Sequence, residues 1–280
     1  MWILFVSMYI VLTIVFTQFY KIVTKTSKSD GTLTVLIQFL AGLSVLPLCP
    51  FFKFTFPTDW KVYLFLGIAY IFYAVSDRIN TTVRSGIEAS TFSIINQLST
   101  VFMILAGLLI FKEPFVWKKI IGAGLIIFSD ILIFYKKGNQ KLNKYVLLGI
   151  ISNMAFSVAL FLDVNISNNF NLSFYVASTL LIPAAIITIL EKIKLSDIKK
   201  EFQHGNKKAI LLTSLCWGIS IIAQLKAYQI GDVTSVAPLC ALTVIGNVII
   251  GYIFLKERKD LLKKLIAALL IIVSVFLIKG

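Results

Sequence analysis

Side chains able to do chemistry are few and scattered in this sequence. It holds one histidine, His204, and 13 Asp and Glu residues spread over 280 positions. There is no H-E-x-x-H helix, no G-x-S-x-G elbow and no two-carboxylate cluster, the arrangements that metal hydrolysis, nucleophilic attack and acid–base work require. The phosphate-binding pattern G-x-x-x-x-G-K-[ST] is absent too, so no machinery for nucleotide hydrolysis is visible. Cys49, Cys216 and Cys240 sit in or beside apolar runs, at spacings that suggest neither a disulfide framework nor a metal site. The sequence therefore points to no catalytic residue, no metal and no cofactor.

What does recur is uncharged polar groups at helical spacing. Ser90, Ser93, Asn96, Gln97 and Thr100 fall within one arc of about 120° at 100° per residue. Tyr70, Tyr73, Asp77, Thr81 and Arg84 share one side of a helix, as do Tyr9, Thr13, Thr17 and Tyr20. Ser214, Trp217, Gln224 and Tyr228 form another stripe, Cys240, Thr243, Asn247 and Gly251 another, and Asn153 with Ser157 a shorter one. Hydroxyls can be satisfied helix to helix. Amides need several partners each, so Asn96, Gln97, Gln224 and Asn247 together argue for a shared polar space. The spacing places Asn96, Gln97, Asn153, Gln224 and Asn247 around a central cavity with Tyr70, Tyr73 and Trp217 as aromatic walls. Such a cavity suits the binding of a small polar solute.

The elements that carry these stripes are membrane helices. The chain is 58% hydrophobic with a mean hydropathy of +0.91, and its apolar residues recur as runs of about 18–25, long enough to span a bilayer core. Continuous runs rather than alternating ones favour helices over a barrel. The expected spans are Trp2–Ile22, Leu33–Phe52, Trp60–Thr82, Ile87–Phe111, Val116–Tyr135, Tyr145–Leu162, Leu172–Leu190, Lys208–Gln229, Val233–Leu255 and Leu261–Ile278. The first has no charged region before it and is read as a retained helix rather than a cleaved leader. The third is interrupted by Asp77 and Arg78, which suggests that it ends early with both at the interface. The stripes sit on helices one, three, four, six, eight and nine; two, five, seven and ten look like lipid-facing staves. The fold class is all-α integral membrane.

The net charge of +14 comes largely from short lysine-rich links such as Lys136–Lys141, which suit anionic headgroups. No soluble portion is large enough for a nucleic-acid module, so the expected partners are a small-molecule solute and membrane lipids, with no nucleic acid; monomer and homodimer stay open. Among the remaining charges, Asp77 is the one acid on a polar stripe and the candidate for proton coupling. Glu113 and Glu257 close their helices beside lysine and read as structural, Lys226 snorkels from a helix end, and His204 is solvated in the longest link, Glu191 to Lys207. Of the 27 Lys and Arg residues, 20 lie near links 1–2, 3–4, 5–6, 7–8 and 9–10, which by the positive-inside rule puts both termini outside.

The chain also repeats itself at a shift of about 145 residues, a longer period than solenoid arrays use. Gly86 falls on Gly231, Ser90 on Ser235, Lys112-Glu113 on Lys256-Glu257, and Lys118–Ile133 on Lys263–Ile278 with 10 of 16 positions identical. Residues 1–138 and 143–280 then hold five helices each. An odd number reverses the second half, which makes ten transmembrane helices as two inverted five-helix repeats, a common transporter architecture.

Gly86–Ile133 and Cys216–Ile278, with Cys216-Trp217-Gly218, Ala227-Tyr228, Gly231–Val236 and Lys256-Glu257, resemble the EamA-type branch of the drug/metabolite transporter superfamily. The first helix lacks the Trp-Gly pair that many relatives carry there. The resemblance implies a central cavity lined by helices one, three, four, six, eight and nine, and both termini in the cytoplasm, against the charge count. It implies transport of a small metabolite, such as an amino acid, across the cell membrane by alternating access, driven by gradients. An enzyme acting on lipid head groups is the competing reading, and a purely structural membrane subunit a third.

Overall fold

The computed structural model describes residues 1–110, 112, 116–134 and 144–279. Among them there is no strand. Helix α1 is Trp2–Thr26, α2 is Asp30–Val45, running on as a 3₁₀ turn over Leu46–Phe51, and α3 is Trp60–Gly86. Next come α4 (Ala89–Ile95), α5 (Leu98–Leu109) and α6 (Trp117–Phe134). Then follow α7 (Lys144–Ile166), α8 (Leu172–Leu190), α9 (Leu195–His204), α10 (Lys207–Ile230), α11 (Val233–Cys240), α12 (Thr243–Phe254) and α13 (Leu261–Lys279). Counting α4–α5 and α11–α12 as single spans, eight helices among the described residues are long and apolar enough to cross a membrane. Helices start where the sequence supplies caps: the side chains of Ser29, Asn171 and Asn206 accept from the backbone N–H of Thr32, Phe174 and Ala209.

The polarity of the molecule is that of a membrane protein. Leu4, Val11, Ile71, Phe128 and Phe276 are exposed, while Gln18, Gln38, Asn153, Asp163 and Asn247 are buried. Lipid solvates the first group, and the second must find partners inside. The most extensive pairings are α1 with α10, α3 with α7, α6 with α13 and α2 with α8. Each joins a helix before residue 138 to one after residue 143. Close approach of α2 and α10 depends on Gly218, where a Cβ would sit 2.8 Å from the Ala41 carbonyl oxygen.

Several expectations change. Asp77 and Arg78 do not end the third helix, because each finds a partner. Gln38 Nε2 donates to Asp77 Oδ2 at 2.8 Å, and Arg78 pairs with Glu191 and bonds Thr82. The sixth helix runs past Leu162 to Ile166 and so carries Asp163 inside the bundle. The Glu191–Lys207 link folds into the amphipathic α9, capped by the Asp197 carboxylate on the Lys194 N–H. His204 is exposed there.

The fourth and ninth expected helices each break once. In the fourth, Gln97, Ser99 and Thr100 donate to Ile94, Asn96 and Gln97, the i−3 pattern of a 3₁₀ turn. In the ninth, Leu242, Val244 and Ile245 donate to Leu239, Ala241 and Leu242 in the same way. The breaks, at Asn96-Gln97 and Ala241-Leu242, lie about 145 residues apart. Lys112 and Lys256 both adopt the left-handed region, at φ 53° and 56°. Phe111, Glu113, Tyr135 and the Lys136–Lys141 link lie outside the described residues.

Candidate functional site

A cavity of about 110 Å³ opens between α1, α3, α4–α5, α7, α8, α10 and α11–α12, with room for on the order of ten water-sized groups. Its lining draws on the six helices with polar stripes and on one more, α8, through Thr179 and Leu180. That helix reads as an apolar stave although Tyr175, Ser178 and Thr179 stand at i, i+3 and i+4, a short stripe among aliphatic residues.

Seven of the residues singled out in the sequence line this space: Tyr73, Asp77, Asn96, Gln97, Trp217, Gln224 and Asn247. Two do not. The Tyr70 hydroxyl turns to Ser178 Oγ at 2.9 Å. Asn153 Nδ2 folds back on the Gly149 carbonyl at 2.9 Å, and its Oδ1 has no partner. A stripe fixes a side of a helix but not which neighbour the side chain meets, and both residues meet protein rather than open space.

The amides are held in different ways. Gln97 spans the break of its own helix, donating to Ser93 O at 2.9 Å and accepting from Thr100 Oγ1 at 3.2 Å. Asn247 ties three elements together. Gln18 Nε2 donates to its Oδ1 at 3.0 Å and its carbonyl at 3.2 Å, and Asn247 Nδ2 donates to Ser93 Oγ at 2.9 Å. Gln224 and Tyr228, one turn apart on α10, both line the cavity. Asn96 is bonded through its side chain to no described residue, and faces the cavity.

Two residues not foreseen from the sequence, Asp163 and Gln38, and one given no role there, Arg84, supply much of the chemistry. Asp163, fully buried on α7, lines the cavity and accepts the hydroxyls of Tyr73 at 2.5 Å and Tyr175 at 2.6 Å. Gln38, on a helix read as a stave, is the partner of Asp77. Arg84 lines the cavity with its guanidinium 3.9 Å from the Phe92 ring centroid and 4.9 Å from those of Phe16 and Tyr20. Trp217 stacks on Phe16 at 5.4 Å, which continues the aromatic wall. No group of three His, Cys, Asp or Glu side chains converges among the described residues.

Glu257 is buried outside the cavity lining. Lys256 turns the chain after α12, and the Glu257 carboxylate accepts from the backbone N–H of Ala89 at 2.6 Å, that of Ser90 at 3.0 Å, and the Ser90 hydroxyl. It therefore caps α4 from across the molecule. Beside it, Lys264, 2% exposed, donates to Glu88 at 2.5 Å.

Comparison with known proteins agrees with this layout. A solved crystal structure of a protein superposes with a TM-score of 0.58 at 13% identity, covering 97% of this chain and 96% of that one, a likeness of fold. No curated protein matches the chain. The model of the EamA-like transporter family matches residues 1–135 and again residues 143–280, nearly the whole length. A helical bundle with an apolar exterior and a polar cavity between two stretches that each match one family model is a multi-pass membrane protein, and the chain belongs to the EamA-like transporter family of drug/metabolite-type membrane transporters.

Proposed function

We propose that this protein is a secondary transporter or facilitator that moves a small polar metabolite, amino-acid-like in size, across the cell membrane by alternating access. The observation that carries the reading is the cavity itself. Amides, hydroxyls and two carboxylates face a space enclosed by helices from both halves, inside an otherwise apolar bundle. Polar groups so placed cost free energy unless they meet a solute or water.

In this reading α6 and α13 complete ten spans, residues 1–138 and 143–280 are inverted repeats, and both termini lie on one side. The matched breaks at Asn96-Gln97 and Ala241-Leu242 support it, as do the two left-handed lysines. The cross-half pairing also supports it: exchanging the halves turns the α1–α10 contact into the α7–α3 contact. Transport then amounts to one half rocking on the other around the midplane site. Tyr73, Asn96, Gln97, Trp217, Gln224 and Asn247 are its solute-facing residues.

Flux into liposomes carrying the purified protein tests this directly, against a panel of small metabolites. At least one solute is taken up above the protein-free rate, and the Gln97→Ala, Gln224→Ala double variant transports it about 10-fold or more slowly, two polar contacts being lost. An unchanged rate in the double variant removes the cavity from the mechanism.

Asp77 is the coupling residue if protons drive transport. Gln38 uses one carboxylate oxygen and leaves the other for the cavity. The other charged groups on the cavity wall are Arg84 and Asp163, and the latter is occupied by two tyrosines. Asp77→Asn is expected to flatten the pH dependence of flux, because the amide cannot take up or release the proton. A wild-type pH profile in that variant excludes Asp77 as the proton carrier.

A further inference from the structure

Arg84 is the cation on the cavity wall, and among the described residues its hydrogen-bonding capacity is unspent. It is 7% exposed, it lines the cavity, and its Nε is buried without a hydrogen-bond partner. None of its guanidinium nitrogens forms an ion pair or hydrogen bond with a described residue. Its charge is held instead by the faces of Phe16, Tyr20 and Phe92. Cation–π contact uses the faces of the guanidinium plane and leaves the five N–H donors on its edge. Three rings thus hold the guanidinium of a residue that lines the cavity, and none of them is a hydrogen-bond acceptor for its N–H donors in the way a carboxylate is.

The surroundings reinforce the positive end. Lys21, also buried, spends its ammonium on the carbonyls of Arg84 at 2.6 Å and Ser85 at 3.2 Å, and so brings a second cation to the same turn without neutralising the first. Glu257 and Glu88, the nearby acids, are engaged with the α4 N-terminus and Lys264. Asp77, seven residues back on the same helix, lies on the same face about 10 Å along the axis. A buried guanidinium with no ion pair or hydrogen bond among the described residues is costly to keep, and a planar oxyanion that accepts two parallel N–H bonds offsets that cost.

We propose that Arg84 binds the carboxylate of the transported solute, so that the cavity takes solutes bearing a carboxylate group, with that group at the Arg84 end and the rest of the molecule toward Asp77 and the amides. The assignment rests on the transport reading above and adds the chemical class of the cargo and the residue that selects it. It also separates Arg84 from a purely structural cation, whose bonds would already be made.

The test compares acids with their amides, which differ only at the group Arg84 is assigned to hold. Purified full-length protein is melted in the presence of acetate, succinate, L-alanine, L-glutamate and L-phenylalanine, each beside the corresponding amide. At least one acid raises the melting midpoint, by about 5 °C at a hundredfold excess over its dissociation constant, and its amide does not. Arg84→Gln weakens that binding about 10- to 100-fold, the scale of lost charge-assisted bonds, and Arg84→Lys recovers part of it. Equal responses to acid and amide, or no response to any acid, overturn the proposal. So does equal binding by wild type and Arg84→Gln. The acid–amide comparison needs only the wild-type protein and decides the matter even where a variant does not fold. Flux of a carboxylate solute that Arg84→Gln leaves unchanged would remove the role of Arg84 and leave transport standing. Absence of flux for every panel solute in wild type would remove the transport reading itself.

Discussion

Asp163→Ala is expected to lower the melting midpoint in detergent by about 6–10 °C, and to cut flux in proportion to the protein that stays folded. The carboxylate takes two tyrosine hydroxyls, from Tyr73 on α3 and Tyr175 on α8, at 2.5 and 2.6 Å. Removing it leaves two buried donors unpaired, each costing about 1–3 kcal/mol, and creates a small void between three helices. For a chain of this size the sum of about 3–5 kcal/mol corresponds to that shift. Asp163→Asn is informative because an amide keeps one acceptor oxygen but presents NH₂ to the second hydroxyl. It should fall between wild type and Asp163→Ala, and Tyr175→Phe added to it should recover stability. Differential scanning fluorimetry of the four proteins checks the order. A double variant less stable than Asp163→Asn alone would mean that the two tyrosines do not depend on this carboxylate.

Glu257→Ala should have a similar effect for a different reason. The first N–H groups of any helix lack partners inside it, and α4 has only two turns to stabilise itself. Glu257 supplies acceptors for Ala89 N, Ser90 N and the Ser90 hydroxyl, and its negative charge suits a helix N-terminus. We expect a loss of about 3–5 kcal/mol and a fall of about 6–10 °C. Glu257→Gln is intermediate, and Glu257→Asp resembles the alanine variant because the shorter side chain does not reach α4. Proteolysis at the start of α4 gives a second measurement. If Glu257→Ala leaves cleavage near Glu88 at the wild-type rate, the cap is not what holds this end.

Much of the architecture was legible because lipid enforces a simple code. Runs of about 20 apolar residues mark helices, and the stripes of Asn96-Gln97, Trp217-Gln224 and Asn247 mark the faces turned to the cavity. What was not legible depends on partners distant in the chain. Asp163 follows the apolar run that ends at Leu162 and precedes a stretch rich in asparagine, so it looks like a link residue. Only Tyr73 and Tyr175, brought alongside by packing, make it an interior one. Gln18 lies next to Thr17 but about 100° off the Tyr9–Thr13–Thr17 stripe, and its bond to Asn247 crosses 229 residues. Arg84 sat on the expected stripe, yet its ring partners Phe16 and Phe92 are ordinary apolar residues in any single-helix reading. Asn153 shows the opposite failure: a stripe position that bonds to its own backbone.

The two helix breaks have the same backbone, and both border the cavity, the second through Cys240 and Thr243, but the residues at the break itself differ. Asn96 and Gln97 face the cavity, where a change of angle displaces water or solute. Ala241 is buried in an apolar cluster with Ile94, Val244 and Ile271, and Leu242 packs against that cluster. Bending there must pull close-packed side chains apart, and packed interiors resist even small displacements. At corresponding places, then, one break presents its own amides to the cavity and the other is sealed by apolar packing.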